Sequence, residues 1–194
     1  MLAVVSASVC SAQTAGRYRI DSQISRIEIH VFRGGLLSGL GDNHVILLNR
    51  FSGDAEGPPA GPWAVRVIGE AESLAVTDPS ESASTRQEIQ AAMLGPTQLD
   101  ATRYPTIEVR SRSLLPGDTN QSLRMLADVT LHGVTRQVEF PIAWSQTGDV
   151  LRASGKKNLL LEDFNIRPIR KFLGAIQVRN EFELIYEIAL RRAP

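Results

Sequence analysis

The chain has a single cysteine, Cys10, and no excess of charge of either sign: 21 Lys and Arg stand against 21 Asp and Glu. A lone cysteine excludes an intrachain disulfide. If the leader described below is removed, no thiol nucleophile and no cysteine-based zinc site remains. Balanced charge gives no general attraction to nucleic acid or to anionic lipid, and no dominant local patch supplies one. No apolar run approaches the about 20 residues that a membrane-spanning helix needs, and nothing recurs at a fixed period that would indicate a solenoid or propeller. The Gly-x-Ser-x-Gly elbow of serine hydrolases is missing. The glycine-rich "RGGLLSGLG", Arg33 to Gly41, lacks the Gly-Lys-Ser/Thr ending of a phosphate loop. What is left is 194 residues, the length of one sizeable domain with one core.

The first residues, "MLAVVSASVCSAQTAG", are apolar and small. Residues 1–12 read as a signal peptide cut after Ala12, which makes the expected protein exported and periplasmic. The leader is incomplete at its start by this reading, because its first positive charge is Arg17. Val9 before Cys10 is a poor fit to a lipoprotein anchor.

From residue 17 to 194 the chain reads almost entirely in period two, the spacing that sends alternate side chains to opposite faces of a strand. Ile27, Ile29 and Val31 share one face against Arg26, Glu28 and His30. Trp63, Val65 and Val67 oppose Arg66, and Ile107 and Val109 oppose Glu108, Arg110 and Arg112. From Ile176 to Leu190 the even positions are mainly apolar and the odd ones mainly polar. A strand this long exceeds the about 5 or 6 residues usual in a sandwich and suits a tilted barrel strand. One segment departs from the period: "DPSESASTRQEIQAAMLG" places Ile89, Ala92 and Met93 at helical spacing, with Ser and Thr to cap its start and Gly95-Pro96 to end it. The expected fold is all-β with one helix, an extended antiparallel barrel of about eight strands.

The stretch "DVTLHGVTRQVEF" predicts a hairpin. A two-residue turn at His132-Gly133 sets Leu131 opposite Val134, Val129 opposite Arg136, Ala127 opposite Val138 and Met125 opposite Phe140. Leu123, Met125, Ala127, Val129 and Leu131 then face inward with Val138, Phe140, Ile142 and Trp144. His132 falls at the turn, on the outer face, while Arg136 falls on the inner one.

"ADVTLHGVTRQVEFPI" resembles the hairpin of the YceI-like family, exported bacterial lipocalin-like barrels associated with polyisoprenoid and similar long-chain lipids. "YRIDSQISRIEIHV" resembles that family's opening strand, "FSG" at Phe51 its second, "LDATRYPTIEVRS" its Tyr-Pro before a strand, and "EDFNIRP" its late Phe-x-Ile-x-Pro loop. The chain departs from the family pattern in having Arg33 and Asp42 where members carry histidines, and in the long segment "GGLLSGLGDNHVILL".

The resemblance implies a non-catalytic protein that binds, sequesters or transports one long-chain isoprenoid, isoprenoid quinone or acyl lipid, as a monomer or homodimer, with no cofactor. Burying each methylene contributes about 0.8 kcal/mol, so an apolar tunnel retains such a chain unaided. The expected lining is Ile29, Val31, Trp63, Val65, Ile107, Val109, Met125, Val129, Phe140, Ile142, Phe182 and Tyr186; the competing reading is a collapsed core of the same residues. Arg136, Arg167 and Arg170 are head-group candidates, with Lys156, Lys157 and Lys171 crowding the same late loop. Charge-assisted hydrogen bonds from such groups would suit a pyrophosphate.

Two alternatives stand beside this one. His30, His44 and His132, with Asp42 or Asp128, would have to converge to form a metal-dependent enzyme site, and their spacing matches no local metal motif. An accessory module for a membrane protein would use the exposed Leu36, Leu37 and Leu40, without a stable span. On that module reading, replacing Leu36 and Leu37 by serine lowers co-sedimentation with liposomes while circular dichroism stays unchanged; undiminished co-sedimentation removes those leucines from any membrane contact.

Overall fold

The structure is a computed structural model describing residues 16–34, 43–58, 62–171 and 176–193. The expected signal peptide, residues 1–12 with Cys10, and Leu36, Leu37, Leu40 and Asp42, lie outside the described residues. In chain order the strands are β1 (Gly16–Ile20), β2 (Arg26–Gly34), β3 (His44–Leu48), β4 (Phe51–Gly57), β5 (Ala64–Glu70), β6 (Leu74–Val76), β7 (Thr106–Pro116), β8 (Ser122–Leu131), β9 (Val134–Thr147), β10 (Val150–Leu160), β11 (Arg170–Lys171) and β12 (Ile176–Arg192). The helix α1 (Ala83–Leu94) separates β6 from β7.

All the recorded pairings are antiparallel, and they close into a barrel of eight strands. The long β12 is the seam. One of its edges pairs with β10 from Glu181 to Arg191. The other pairs in succession with β2, up to Glu187, and then with β1, where Tyr18 meets Arg192. Next to β1 lies β4, and next to β2 lies β3. β5 and β6 continue these two tiers, and β7, β8, β9 and β10 complete the ring as a meander.

The period-two pattern sorts charge outward and apolar groups inward. Arg66 and Arg110 flank Glu108 at 2.7 and 2.9 Å and hold its carboxyl below the usual range. Arg112 meets Asp128 at 2.7 Å, and Lys156 meets Glu183 at 3.2 Å. This polarity is the reverse of a membrane-spanning barrel, whose outer band is apolar. No helix among the described residues is long and apolar enough to cross a membrane.

The hairpin has the expected register throughout, from Leu131 opposite Val134 to Met125 opposite Phe140. His132 and Gly133 have φ of 50° and 71°, the left-handed pair that a two-residue turn matched to strand twist requires. The helix also forms where its signals lie: the Ser82 hydroxyl accepts from the Thr85 N–H at 3.1 Å. It ends differently from the usual glycine cap. Gly95 is extended, with φ −70° and ψ 170°, the conformation that a following proline imposes on its predecessor.

The Tyr104, His132 and Phe164 segments meet at one point. The His132 Nδ1–H donates to the carbonyl of the buried Phe164 at 3.1 Å, and its ring meets the Tyr104 ring edge-on at 4.7 Å. His132 is therefore a half-buried fastener, where the sequence suggested an outer-face turn residue. Gly133 lies beneath Tyr104, and a Cβ there would run into that ring. Gly133→Ala combines that clash with a left-handed backbone costing about 1–2 kcal/mol. It is expected to lower the urea midpoint by at least that equivalent, and an unchanged midpoint would remove this packing constraint.

Candidate functional site

Inward-facing side chains do not fill the barrel. They enclose a cavity of about 1070 Å³, above the upper end of ordinary ligand pockets. The twelve apolar residues of the expected lining all border it, in two kinds of wall. Met125, Val129, Phe140, Ile142 and Phe182 are buried, packed into one cluster with Leu159, Phe164 and Ile166. Ile29, Val31, Trp63, Val65, Ile107, Val109 and Tyr186 are only half-buried, because their inner surfaces open onto the cavity. A collapsed core would have covered both sets.

The helix completes the wall beside the short β6. Its stripe Thr85, Glu88, Ile89, Ala92 and Met93 faces the cavity. Gln90 ties it to the sheet edge, accepting from the Val76 N–H at 2.8 Å and donating to the Leu74 carbonyl.

Tyr186 illustrates how a polar group is accommodated in this wall. The β9–β10 ladder runs from Ala143 to Thr147 and stops short of Pro141, which has no N–H to offer. The Tyr186 hydroxyl crosses over Gly155 and donates to the Pro141 carbonyl. A Cβ at Gly155 would occupy that path. Burial raises the Tyr186 phenol pKa, which preserves the donor into the alkaline range. Its ring also packs edge-on against Phe140 at 5.9 Å.

The head-group candidates lie elsewhere. Arg136 has the inward parity expected of it, opposite the buried Val129. Its side chain is nonetheless exposed and donates to the Thr135 carbonyl at 3.1 Å, without lining the cavity. One pair from the turn, a long guanidinium reaches water more cheaply than it enters an apolar interior. Arg167 and Arg170 are likewise exposed and off the cavity wall, and Lys156 and Lys157 belong to strand β10 instead of a loop.

Charged and amide side chains reach the cavity at both ends: Arg33, His44, Glu88 and Gln177 where β2 finishes and β3 begins, and Gln146 and Arg192 where β12 finishes. The pairing of His44 with Val31 explains its direction, since cross-strand partners share a face. Behind the ring is Asp78, 2% exposed; its Oδ2 lies 2.6 Å from His44 Nδ1, and its Oδ1 accepts from the Val45 N–H at 2.6 Å. Arg33 lies 3.6 Å from Glu81. Arg86 donates to the backbone carbonyls of Asp78 and Glu81, at 3.0 and 2.5 Å.

The histidines do not converge. His30 faces outward and pairs with Glu28 at 3.0 Å, a contact that lowers the Glu28 carboxyl below its usual range. His44 faces inward one strand away, and His132 is fastened to Phe164. Among the described residues, no three His, Cys, Asp or Glu side chains come together as a metal-binding group.

The match to the YceI-like domain runs from residue 18 to 190. BcnA of Burkholderia cenocepacia superposes with a TM-score of 0.71 at 15% identity, over 88% of this chain and 98% of that one. A polyisoprenoid binding domain from Saccharophagus degradans, implicated in plant cell wall breakdown, gives 0.66 at 10%, over 91% and 98%. The YCEI protein of Campylobacter jejuni gives 0.60 at 12%, over 77% and 84%. No curated protein matches the sequence.

Tyr186→Phe keeps the ring in the wall and leaves the Pro141 carbonyl without its donor. The expected cost is about 1–2 kcal/mol in urea unfolding, and a wild-type midpoint would show that this hydrogen bond contributes nothing.

Proposed function

The chain belongs to the YceI-like domain family, and from that membership we propose that it holds one long-chain amphiphilic lipid, an isoprenoid, isoprenoid quinone or fatty-acyl compound, inside its barrel without altering it chemically. The carrying observation is the unfilled interior: about 1070 Å³ bounded mainly by aliphatic and aromatic side chains. A dozen methylenes moved from water into such a space contribute on the order of 10 kcal/mol before the costs of association. That is ample for retention, and it requires no reacting group. The Saccharophagus degradans relative, described as a polyisoprenoid binding domain, supports the isoprenoid class among these ligands. An exported, periplasmic carrier fits the apolar leader, and the charged outer face keeps the loaded barrel compatible with water.

Native mass spectrometry of the purified protein, followed by extraction, is expected to recover a long-chain lipid in a 1:1 complex, or to show uptake of added prenyl or acyl chains. Val65→Trp with Val109→Phe, both on the open wall, should abolish uptake while preserving the far-ultraviolet spectrum. An empty wild-type chain that takes up none of these ligands would overturn the carrier reading.

A further inference from the structure

The end of the cavity where β2 finishes and β3 begins has a built acceptor. His44 projects from β3 into the cavity in line with Ile46 and Leu48, and its side chain is 13% exposed. Asp78 fixes the ring. A carboxylate accepts and does not donate, so the hydrogen between Oδ2 and Nδ1 is carried by the imidazole. In the neutral ring this leaves Nε2 with a lone pair, and among the described residues Nε2 has no hydrogen-bond partner.

The surrounding charges decide which head group fits. Carboxylates at Asp78, Glu81 and Glu88 outnumber the guanidinium groups of Arg33 and Arg86. Arg33 is already beside Glu81, and Arg86 is committed to two backbone carbonyls. Arg136, Arg167 and Arg170, which would have favoured a phosphate, are exposed and off the cavity wall. Among the described residues, a phosphate or pyrophosphate here would meet more carboxylates than guanidinium groups. A neutral hydroxyl would meet the His44 Nε2 lone pair and bring no charge to these carboxylates.

Resting on the reading of the barrel as a lipid carrier, we propose that this end of the cavity is a hydroxyl-recognition site. His44 Nε2 accepts from the terminal O–H of a neutral long-chain alcohol or phenol, and Asp78 acts as the positioning residue that sets the ring's tautomer. The occupant is thus a prenol-like or phenol-headed chain, threaded tail-first away from His44 along the apolar wall.

Equilibrium binding of geranylgeraniol, its methyl ether and geranylgeranyl phosphate tests the assignment. The wild-type protein is expected to prefer the alcohol over the ether by roughly three- to tenfold, the range of one hydrogen bond between uncharged groups, and to bind the phosphate no better than the alcohol. His44→Leu removes the preference, so that the variant binds alcohol and ether equally. Asp78→Asn can offer an amide N–H to Nδ1 and move the ring hydrogen to Nε2; the preference then shifts toward an acceptor head, read with geranylgeranylacetone. A wild-type protein that binds alcohol and ether equally, a preference that survives in His44→Leu, or tighter binding of the phosphate overturns the hydroxyl site while the carrier reading stands. Failure to bind even the ether overturns the carrier reading, and the hydroxyl site falls with it.

Discussion

A sheet that surrounds an unfilled space must satisfy its backbone hydrogen bonds around a closed ring, and here that closure depends on β12. Its 17 residues follow a path of about 55 Å, long enough to meet β10 on one edge and two successive strands on the other. The register shift between Val178 and Phe182 lets the strand bend without changing which residues face inward. The backbone of Asn180, in that bulge, receives the Leu161 N–H, and its side chain is bonded to Glu162. The irregularity thereby anchors the turn that delivers Phe164 and Ile166 to the wall.

Stability and capacity are divided between different sectors of the same barrel. One sector, built on β8 and β9 with Phe164, Ile166 and Phe182, is packed solid. A smaller cluster of Ile46, Leu48, Leu74 and Val76 supports the side covered by the helix. The remaining inner wall gives up close packing, and the cavity occupies the space so released. Dispersion contacts absent from that wall are available to an aliphatic guest, so the same feature that limits the empty protein's stability favours its occupancy.

Local order was legible in the sequence because it is set by neighbours along the chain. Alternation identified the strand faces, and the His132-Gly133 turn set the hairpin register from parity and turn chemistry alone. What the pattern could not convey was where long or isolated polar side chains end. Parity placed the Cβ of Arg136 correctly, but a guanidinium near a rim follows water. Asp78 gave no signal, lying in a Thr-Asp-Pro-Ser run that reads only as the approach to a helix, and its burial depends on His44 and Val45, more than thirty residues away. The family-like segments around Tyr104, His132 and Phe164 looked independent, although they form a single junction.

The pairing of Tyr18 with Arg192 also bears on how the protein comes into being. Contacts between positions so far apart in the chain are slow to form, because a large loop must close before any of them is made. Until they are made, the inner faces of β5 and β7 belong to an open sheet with unpaired edges, which is an aggregation hazard. The compartment exists only once that ring is closed, and a lipid that prefers the finished cavity favours the closed ring over any opened form.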